Sequence, residues 1–244
     1  MNEFDKLRKL WPNRQIFQGS AWAYIRYCES RRLPWEGFEK PLWKAFLREL
    51  NLKEASVLDI GSGTGRLVDL LIEERAKPEN IFILEPNPIL VNFLFERKLG
   101  VGCIRDSSCN LDNPVAQHLE ADLVTANMVV NHLPTTDFDK LVKDIAGVLK
   151  LDGIFAYMVP NPYWKEMRYS LDKSDNSSVV VEDAPWGGLV EYHHKSEAYQ
   201  RKILENSGFK PLFYFGGYDD TYHTLDGPKR MLVVAQKIKT VQEE

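Results

Sequence analysis

The sequence is short of cysteine, of long apolar runs and of basic charge, and each shortage closes off a class of function. Only three cysteines, Cys28, Cys103 and Cys109, stand among its 244 residues. They cannot all pair and none sits in a C-x-x-C, which excludes a disulfide framework and points to a reducing, cytoplasmic setting. No apolar run approaches the ~18–20 residues that span a bilayer, so no membrane partner is expected. The opening MNEFDKLRKLWPNRQ has charge but not the apolar stretch of a secretory leader. The 35 Asp and Glu outnumber the 31 Lys and Arg, for a net charge of −4. Binding to nucleic acid needs a basic stripe that displaces counterions from phosphates. The clusters here, Arg31-Arg32 and Lys229-Arg230, are short and lie near acidic residues. No nucleic-acid partner is expected.

What is present is an alternation of short apolar runs and helical patterns between residues 55 and 160. The runs are Ala55–Ile60, Ile81–Glu85, Val101–Arg105, Ala121–Asn127 and Gly153–Pro160, with helical periodicity over Gly65–Ala76, Pro88–Leu99 and Asp137–Leu149. Strands that are apolar throughout and alternate with helices predict a doubly wound α/β domain, its mostly parallel sheet covered by helices on both faces. Residues 1–50 form an N-terminal extension, rich in aromatics and Arg over 15–50, with two helices broken around Pro34. The domain proper then spans 51–244. Within it, about 160–195 is irregular and proline-rich, as expected of a functional cap. A helix over Ser196–Ser207, a strand over Phe209–Tyr218 and a last strand over Arg230–Lys237 complete the pattern, the final two as an antiparallel hairpin.

The strongest local signal is Val57-Leu58-Asp59-Ile60-Gly61-Ser62-Gly63-Thr64-Gly65, an apolar strand running through a glycine loop into a helix. Glycine admits positive φ and, lacking Cβ, lets a ligand approach the backbone. The spacing is G-x-G-x-G, not the G-x-G-x-x-G of dinucleotide folds. Asp59 would sit poorly beside a pyrophosphate but suits a ligand carrying an ammonium and a sulfonium. Glu85 ends the second strand 20 residues past Gly65, where a carboxylate can accept two hydrogen bonds from a ribose diol. Asp106 lies at the next strand mouth. Ligands of open α/β sheets bind at these carboxyl ends, so the acidic groups and the loop converge on one crevice. A plain strand-to-helix turn with no ligand explains the glycines but not the acidic residues in step with them.

Residues 55 to about 160 resemble the class I S-adenosylmethionine-dependent methyltransferases. VLDIGSGTGRL is similar to the family's first motif, ILEPNP to its ribose-binding strand end, and ADLVTANMVVNHLP to its fourth-strand motif. LVKDIAGVLKLDGIFAYMVPN is similar to the helix, turn and fifth strand that follow. The resemblance implies a seven-stranded sheet whose seventh strand is antiparallel between the fifth and sixth. It implies S-adenosylmethionine as cofactor and S-adenosylhomocysteine as product. Asp59 and the loop residues Gly61, Ser62, Gly63 and Gly65 would hold the methionine moiety, and Glu85 the ribose. Pro86 and Asn87 would flank the adenine, Asp106 with Ser107 would meet its amino group, and Asn127 and Met128 would line the sulfonium side. Two positions depart from the pattern: Asp152 replaces a turn glycine, and Asn131 replaces one of two histidines in the fourth-strand motif.

The acceptor is expected to be a small molecule, methylated on oxygen or nitrogen. In-line methyl transfer rests largely on positioning, with a base needed only for a protonated acceptor. His194, His193, His132 and His223 are the candidates for that base, and sequence alone does not choose between the first two; each is also an ordinary surface or capping histidine by composition. No metal site is expected, because adjacent His193 and His194 before a helix do not face one point as an i, i+4 pair does. Tyr24 and Tyr27 are expected in a lid over the cofactor and Trp35 and Trp186 near the acceptor, with core packing the alternative. Two other readings stand beside the enzyme: a catalytically silent S-adenosylmethionine-binding protein, and a nicotinamide-dependent oxidoreductase.

Overall fold

In the computed structural model the described residues are 21–30, 35–104, 119–160, 177–183, 189–217 and 230–239. Helix α1 (Ala21–Ser30) is followed by a π-helical turn, Trp35–Glu39, that runs into α2 (Lys40–Leu47). The alternating core follows: β1 (Val57–Ile60), α3 (Arg66–Glu73), β2 (Ile81–Leu84), α4 (Pro88–Glu96), β3 (Gly102–Ile104), β4 (Ala121–Asn127), α5 (Thr135–Val148) and β5 (Leu149–Pro160). After these come β6 (Ser177–Asp183), β7 (Leu189–Lys195), α6 (Glu197–Asn206), β8 (Phe209–Gly217) and β9 (Arg230–Lys237). Seven strands form one sheet in the order β3-β2-β1-β4-β5-β9-β8. The first five are parallel, and β9 runs antiparallel between β5 and β8, as expected.

Strand periodicity of two explains the two cores. Leu58 and Ile60 of β1 face one side with Phe138, Leu141 and Ile145 of α5 and Leu204 of α6. Val57 faces the other with Trp43 and Phe46 of α2, Leu67 and Leu71 of α3 and Leu94 of α4. On β9, Met231, Val233 and Ala235 join the first cluster, and Leu232 and Val234 join the second. Both faces being covered, Asp59 and Thr125, polar residues wholly buried in the two central strands, are conspicuous.

Local chemistry sets the helix starts. Asn87 caps α4, its Oδ1 accepting from the Ile89 and Leu90 amides, with Pro88 at the first helical position. Ser196 caps α6 by accepting from the Tyr199 amide at 3.1 Å. One element departs from the sequence expectation. The segment expected to be irregular contains a hairpin, β6 with β7, in which Ser178 pairs with His194 and Val179 with His193. The run Val179-Val180-Val181 is β-branched, and Pro185-Trp186-Gly187-Gly188 is turn chemistry between two strands. His193 and His194 therefore lie on a strand before their helix.

Candidate functional site

Strand order reverses between β1 and β4, and the glycine loop opens there, at the carboxyl ends of the parallel strands. Gly61, Gly63 and Gly65 all have positive φ, at 65°, 56° and 80°. At Gly61 the need for glycine is doubled, because a Cβ would stand 2.4 Å from Val129 Cγ2. The loop is tied down by Gly61 N donating to Leu84 O at 2.7 Å and by Arg97, whose guanidinium donates to Thr64 O and to both oxygens of Asp69.

Two carboxyls are buried beside the loop. Asp59, 1% exposed, accepts from Thr125 Oγ1 at 2.7 Å through Oδ1, while its Oδ2 is buried with no hydrogen-bond partner. Burial pushes its carboxyl up to about 6 against the pull of that hydroxyl. Glu85, 3% exposed, accepts from the amides of Gly63 at 2.8 Å and Asn87 at 2.9 Å. Burial pushes it up to about 7, with the two amides pulling down and Asp59 adding a like charge. Ser62 Oγ donates to the Asp59 carbonyl at 3.0 Å. Pro86 is half-buried, and Asn87 is engaged as a helix cap.

Asn127 ends β4 inside a polar relay that the sequence did not disclose. Its Oδ1 accepts from Trp43 Nε1 at 2.9 Å and its Nδ2 donates to Glu39 Oε2 at 3.2 Å, while Glu39 Oε1 accepts from Arg230 Nε at 3.2 Å. Met128, next in line, is held at φ 59° with its amide on Met158 O. For an unbranched non-glycine residue that backbone is uncommon and, at a strand mouth, a mark of a site. Thr125, Glu39, Trp43 and Arg230 are thus site neighbours that sequence reasoning missed; polar residues inside an otherwise apolar strand or helix face were the available signal.

Helix α1 packs against α4, and Tyr24 brings its hydroxyl within 3.5 Å of where a Gly63 Cβ would be. Burial pushes the Tyr24 phenol well above its ordinary value, with Cys28 and Arg66 close by. Tyr27 is half-buried on the same helix. Trp35 is buried in the core, with the Arg66 guanidinium 5.4 Å from its ring centroid.

On the other side of the sheet the histidines gather around β7. His132, in the 3-10 turn Val130–His132, lies 5.1 Å from the Tyr192 ring, and His194 stacks on the same ring at 6.0 Å. His194 is 3% exposed and pushed down to about 4 by burial, then by Lys195, His193 and Arg230. Lys195, 4% exposed, donates from Nζ to the carbonyls of Val130, Leu133 and His193 at 3.0, 2.6 and 3.1 Å, above the Phe138 ring. Asp106, Ser107, Trp186 and His223 lie outside the described residues. Among the described residues no group of three or more His, Cys, Asp or Glu is placed to hold a metal ion. None of their helices is long and apolar enough to cross a membrane.

A family model described as a methyltransferase domain matches residues 35–212. The chain belongs to this family. The methyltransferase has the sheet order and glycine loop of the S-adenosylmethionine-dependent class I fold, and solved structures share that fold across most of its length. An S-adenosylmethionine-dependent methyltransferase from Clostridium acetobutylicum is 16% identical, with a TM-score of 0.62 over 89% of this chain and 98% of that one. The 1,6-didemethyltoxoflavin N1-methyltransferase of Burkholderia thailandensis, solved with 1,6-didemethyltoxoflavin and S-adenosylhomocysteine, is 16% identical, with a TM-score of 0.61 over 90% and 87%. The glycopeptide N-methyltransferase MtfA, solved with sinefungin, is 12% identical, with a TM-score of 0.61 over 80% and 92%. Among curated protein sequences none matches this methyltransferase.

Proposed function

We propose that this methyltransferase acts on a small-molecule acceptor, at oxygen or nitrogen, and that Asp59, the glycine loop and Glu85 hold S-adenosylmethionine. The observation that carries the cofactor assignment is Asp59 Oδ2, a buried carboxylate oxygen without a partner beside three glycines of positive φ. An ammonium is the group that satisfies such an oxygen, since it brings both a donor and the opposite charge. Glu85, the residue after the Leu84 that pairs with Ile60, would exchange its loop amide for ribose hydroxyls. Ser62, Gly63 and Gly65 would shape the backbone cradle, with Pro86 and Asn87 at the adenine. Asp106 and Ser107 are proposed to meet its amino group, and Asn127 and Met128 to line the sulfonium side. When bound, the cofactor supplies an electrophilic methyl group on a sulfonium; the chain's own part is to orient it and exclude water.

Helix α1 is proposed as a lid, since Tyr24 already reaches the loop, and hairpin β6–β7 as part of a cap above the acceptor, near Trp186. A small acceptor is supported by the chain's acidic balance and by solved relatives that methylate a heterocyclic nitrogen and a glycopeptide. A group near pKa 4 is too weak to take a proton from a hydroxyl or ammonium at neutral pH, so the base role passes from His194 to His193, His132 or His223.

Calorimetric titration with S-adenosylhomocysteine tests the cofactor site: the wild type should bind, and Glu85→Ala should bind ~10–100-fold more weakly through loss of charge-assisted hydrogen bonds. No binding by the wild type overturns the assignment. Screening metabolites against RNA and protein for S-adenosylhomocysteine release tests the acceptor class.

A further inference from the structure

The turn after β4 and the end of β7 enclose a small polar pocket that the cofactor assignment does not use. It is lined by Val130, Asn131, Pro160, His194, Lys195 and Gln200, among others, with about 10 Å³ of free space. That is room for one water-sized group. Gln200 is already committed, accepting from Tyr157 Oη at 2.8 Å and donating to Lys195 O at 2.9 Å. Asn131 is not: it is 2% exposed, and neither its Oδ1 nor its Nδ2 has a hydrogen-bond partner. Nor has His194 Nε2. Buried polar atoms left unpaired are rare, and three around one cavity mark a place where a polar group is missing.

The electrostatics say which kind. The three hydrogen bonds of the Lys195 ammonium all go to main-chain carbonyls, and among the described residues no carboxylate lies within ion-pair reach of it. Burial pushes the Lys195 ammonium down to about 7, with Asp139 and Asp137 of α5 pulling it up only from a distance, so an anion beside it would restore its charge; Asp139 itself accepts from Tyr199 Oη at 2.6 Å. Arg230 of β9 adds its field near His194, but Glu39 Oε1 accepts from its Nε at 3.2 Å and answers that charge. Lys195, with no carboxylate in ion-pair reach among the described residues, and two potential N–H donors favour an anionic oxygen. Its size decides between anions: a carboxylate or phosphate brings two or more oxygens, whereas the cavity admits one.

Resting on the reading of the chain as a small-molecule methyltransferase, we propose that this pocket docks an acidic hydroxyl of the acceptor, phenolic or enolic, with its oxygen held by Asn131 and His194 in the field of Lys195. His194 then serves as a neutral hydrogen-bonding group. The proton released on ionisation passes to solvent.

The probe is 4-nitrophenol, whose phenolate is yellow and whose ionisation is read by absorbance. It is titrated into the full chain with and without S-adenosylhomocysteine, and cofactor binding is measured separately by calorimetry. Bound probe should ionise about one pH unit or more below free probe, the shift expected of an acid beside an unpaired cation. Asn131→Leu should bind the probe about tenfold or more weakly and, having lost two orphaned buried polar atoms, should melt at a higher temperature than the wild type. Asn131→Asp, which places a negative charge against the phenolate, should abolish binding while Lys195 stays in place. Lys195→Met, where it folds, should lose the ionisation shift. Unchanged probe affinity in Asn131→Leu, a lower melting temperature for that variant, or an unshifted bound probe overturns the proposal. Failure of the wild type to bind S-adenosylhomocysteine while the probe results hold would instead overturn the cofactor reading.

Discussion

Replacing Asp59 by asparagine sets stability and binding against each other in one residue. Asp59 is almost wholly buried and its carboxyl is pushed up to about 6, whereas in the unfolded chain an aspartate titrates near 3.9. Between those values the native protein holds a proton that the unfolded chain has released. Stability from this group is therefore full below about pH 4 and is lost as the pH rises through about 6. Roughly two pH units at ~1.4 kcal/mol each give about 3 kcal/mol of destabilisation of the ligand-free protein above pH 6. Asparagine keeps an oxygen for the Thr125 hydroxyl and cannot ionise. Asp59→Asn should thus be more stable than the wild type at pH 8 by about 3 kcal/mol, seen as a rise of roughly 6–12 °C in the melting midpoint. The gain should close as the pH falls towards 4. The same variant loses the charge proposed to meet the cofactor's ammonium, and its affinity for S-adenosylhomocysteine should fall ~10–100-fold. Melts at pH 4, 6 and 8 with calorimetry at pH 8 measure both. An equal gain at pH 4 and pH 8 would trace the effect to packing, and a loss at pH 8 would show that Oδ2 already has a partner; either result refutes the reasoning.

Three further outcomes are expected. Gly61→Ala should destabilise the chain by ~1–3 kcal/mol in urea unfolding, since the new Cβ meets Val129 Cγ2 at 2.4 Å on a positive-φ backbone; adding Val129→Ala should recover part of it. Trp43→Phe should cost ~1–3 kcal/mol by leaving Asn127 Oδ1 without its donor, measured by the same unfolding. Asp152→Gly should raise the melting midpoint, worth up to about 1 kcal/mol, because the exposed Asp152 holds φ 65° with only a 3.4 Å bond from Gln236 in return.

The fold and the loop were legible because their signals are local. A strand buried on both faces, a glycine needed for positive φ and a helix opening at Ser196 each show within a few residues. The seven-stranded order came with the family resemblance, and the strand pairings agree with it. The polar pairs around the site were not legible, because they join residues far apart: Thr125 and Asp59 are separated by 66 positions, Trp43 and Asn127 by 84, Arg230 and Glu39 by 191. No periodicity encodes such a meeting. Hairpin β6–β7 was hidden for another reason. Its turn composition looks like that of an irregular loop, and only the Val179-Val180-Val181 run hinted at pairing.

The carboxyls proposed to face the cofactor and the Lys195 ammonium lie on opposite faces of this sheet. Asp59 and Asn127 with its partner Glu39 belong to the face covered by α2 and α3, whereas Lys195 sits over Phe138 on the face covered by α5. A cofactor bearing sulfonium and ammonium charge belongs on the first side, and an acceptor oxygen that reacts best as its anion belongs on the second. Their meeting place is the carboxyl end of β4, where Asn127 and Asn131 stand four residues apart on one turn. Methyl transfer from a cation to an anion destroys both charges, so it gains from a site that keeps water away while holding each reactant ionised beforehand. Asn131→Asp separates this account from simple positioning. A carboxylate there would leave cofactor affinity intact and lower the turnover of a hydroxyl acceptor more than Asn131→Leu does, because only the aspartate sets a negative charge against the oxyanion. An equal loss in the two variants would mean that shape alone matters at residue 131.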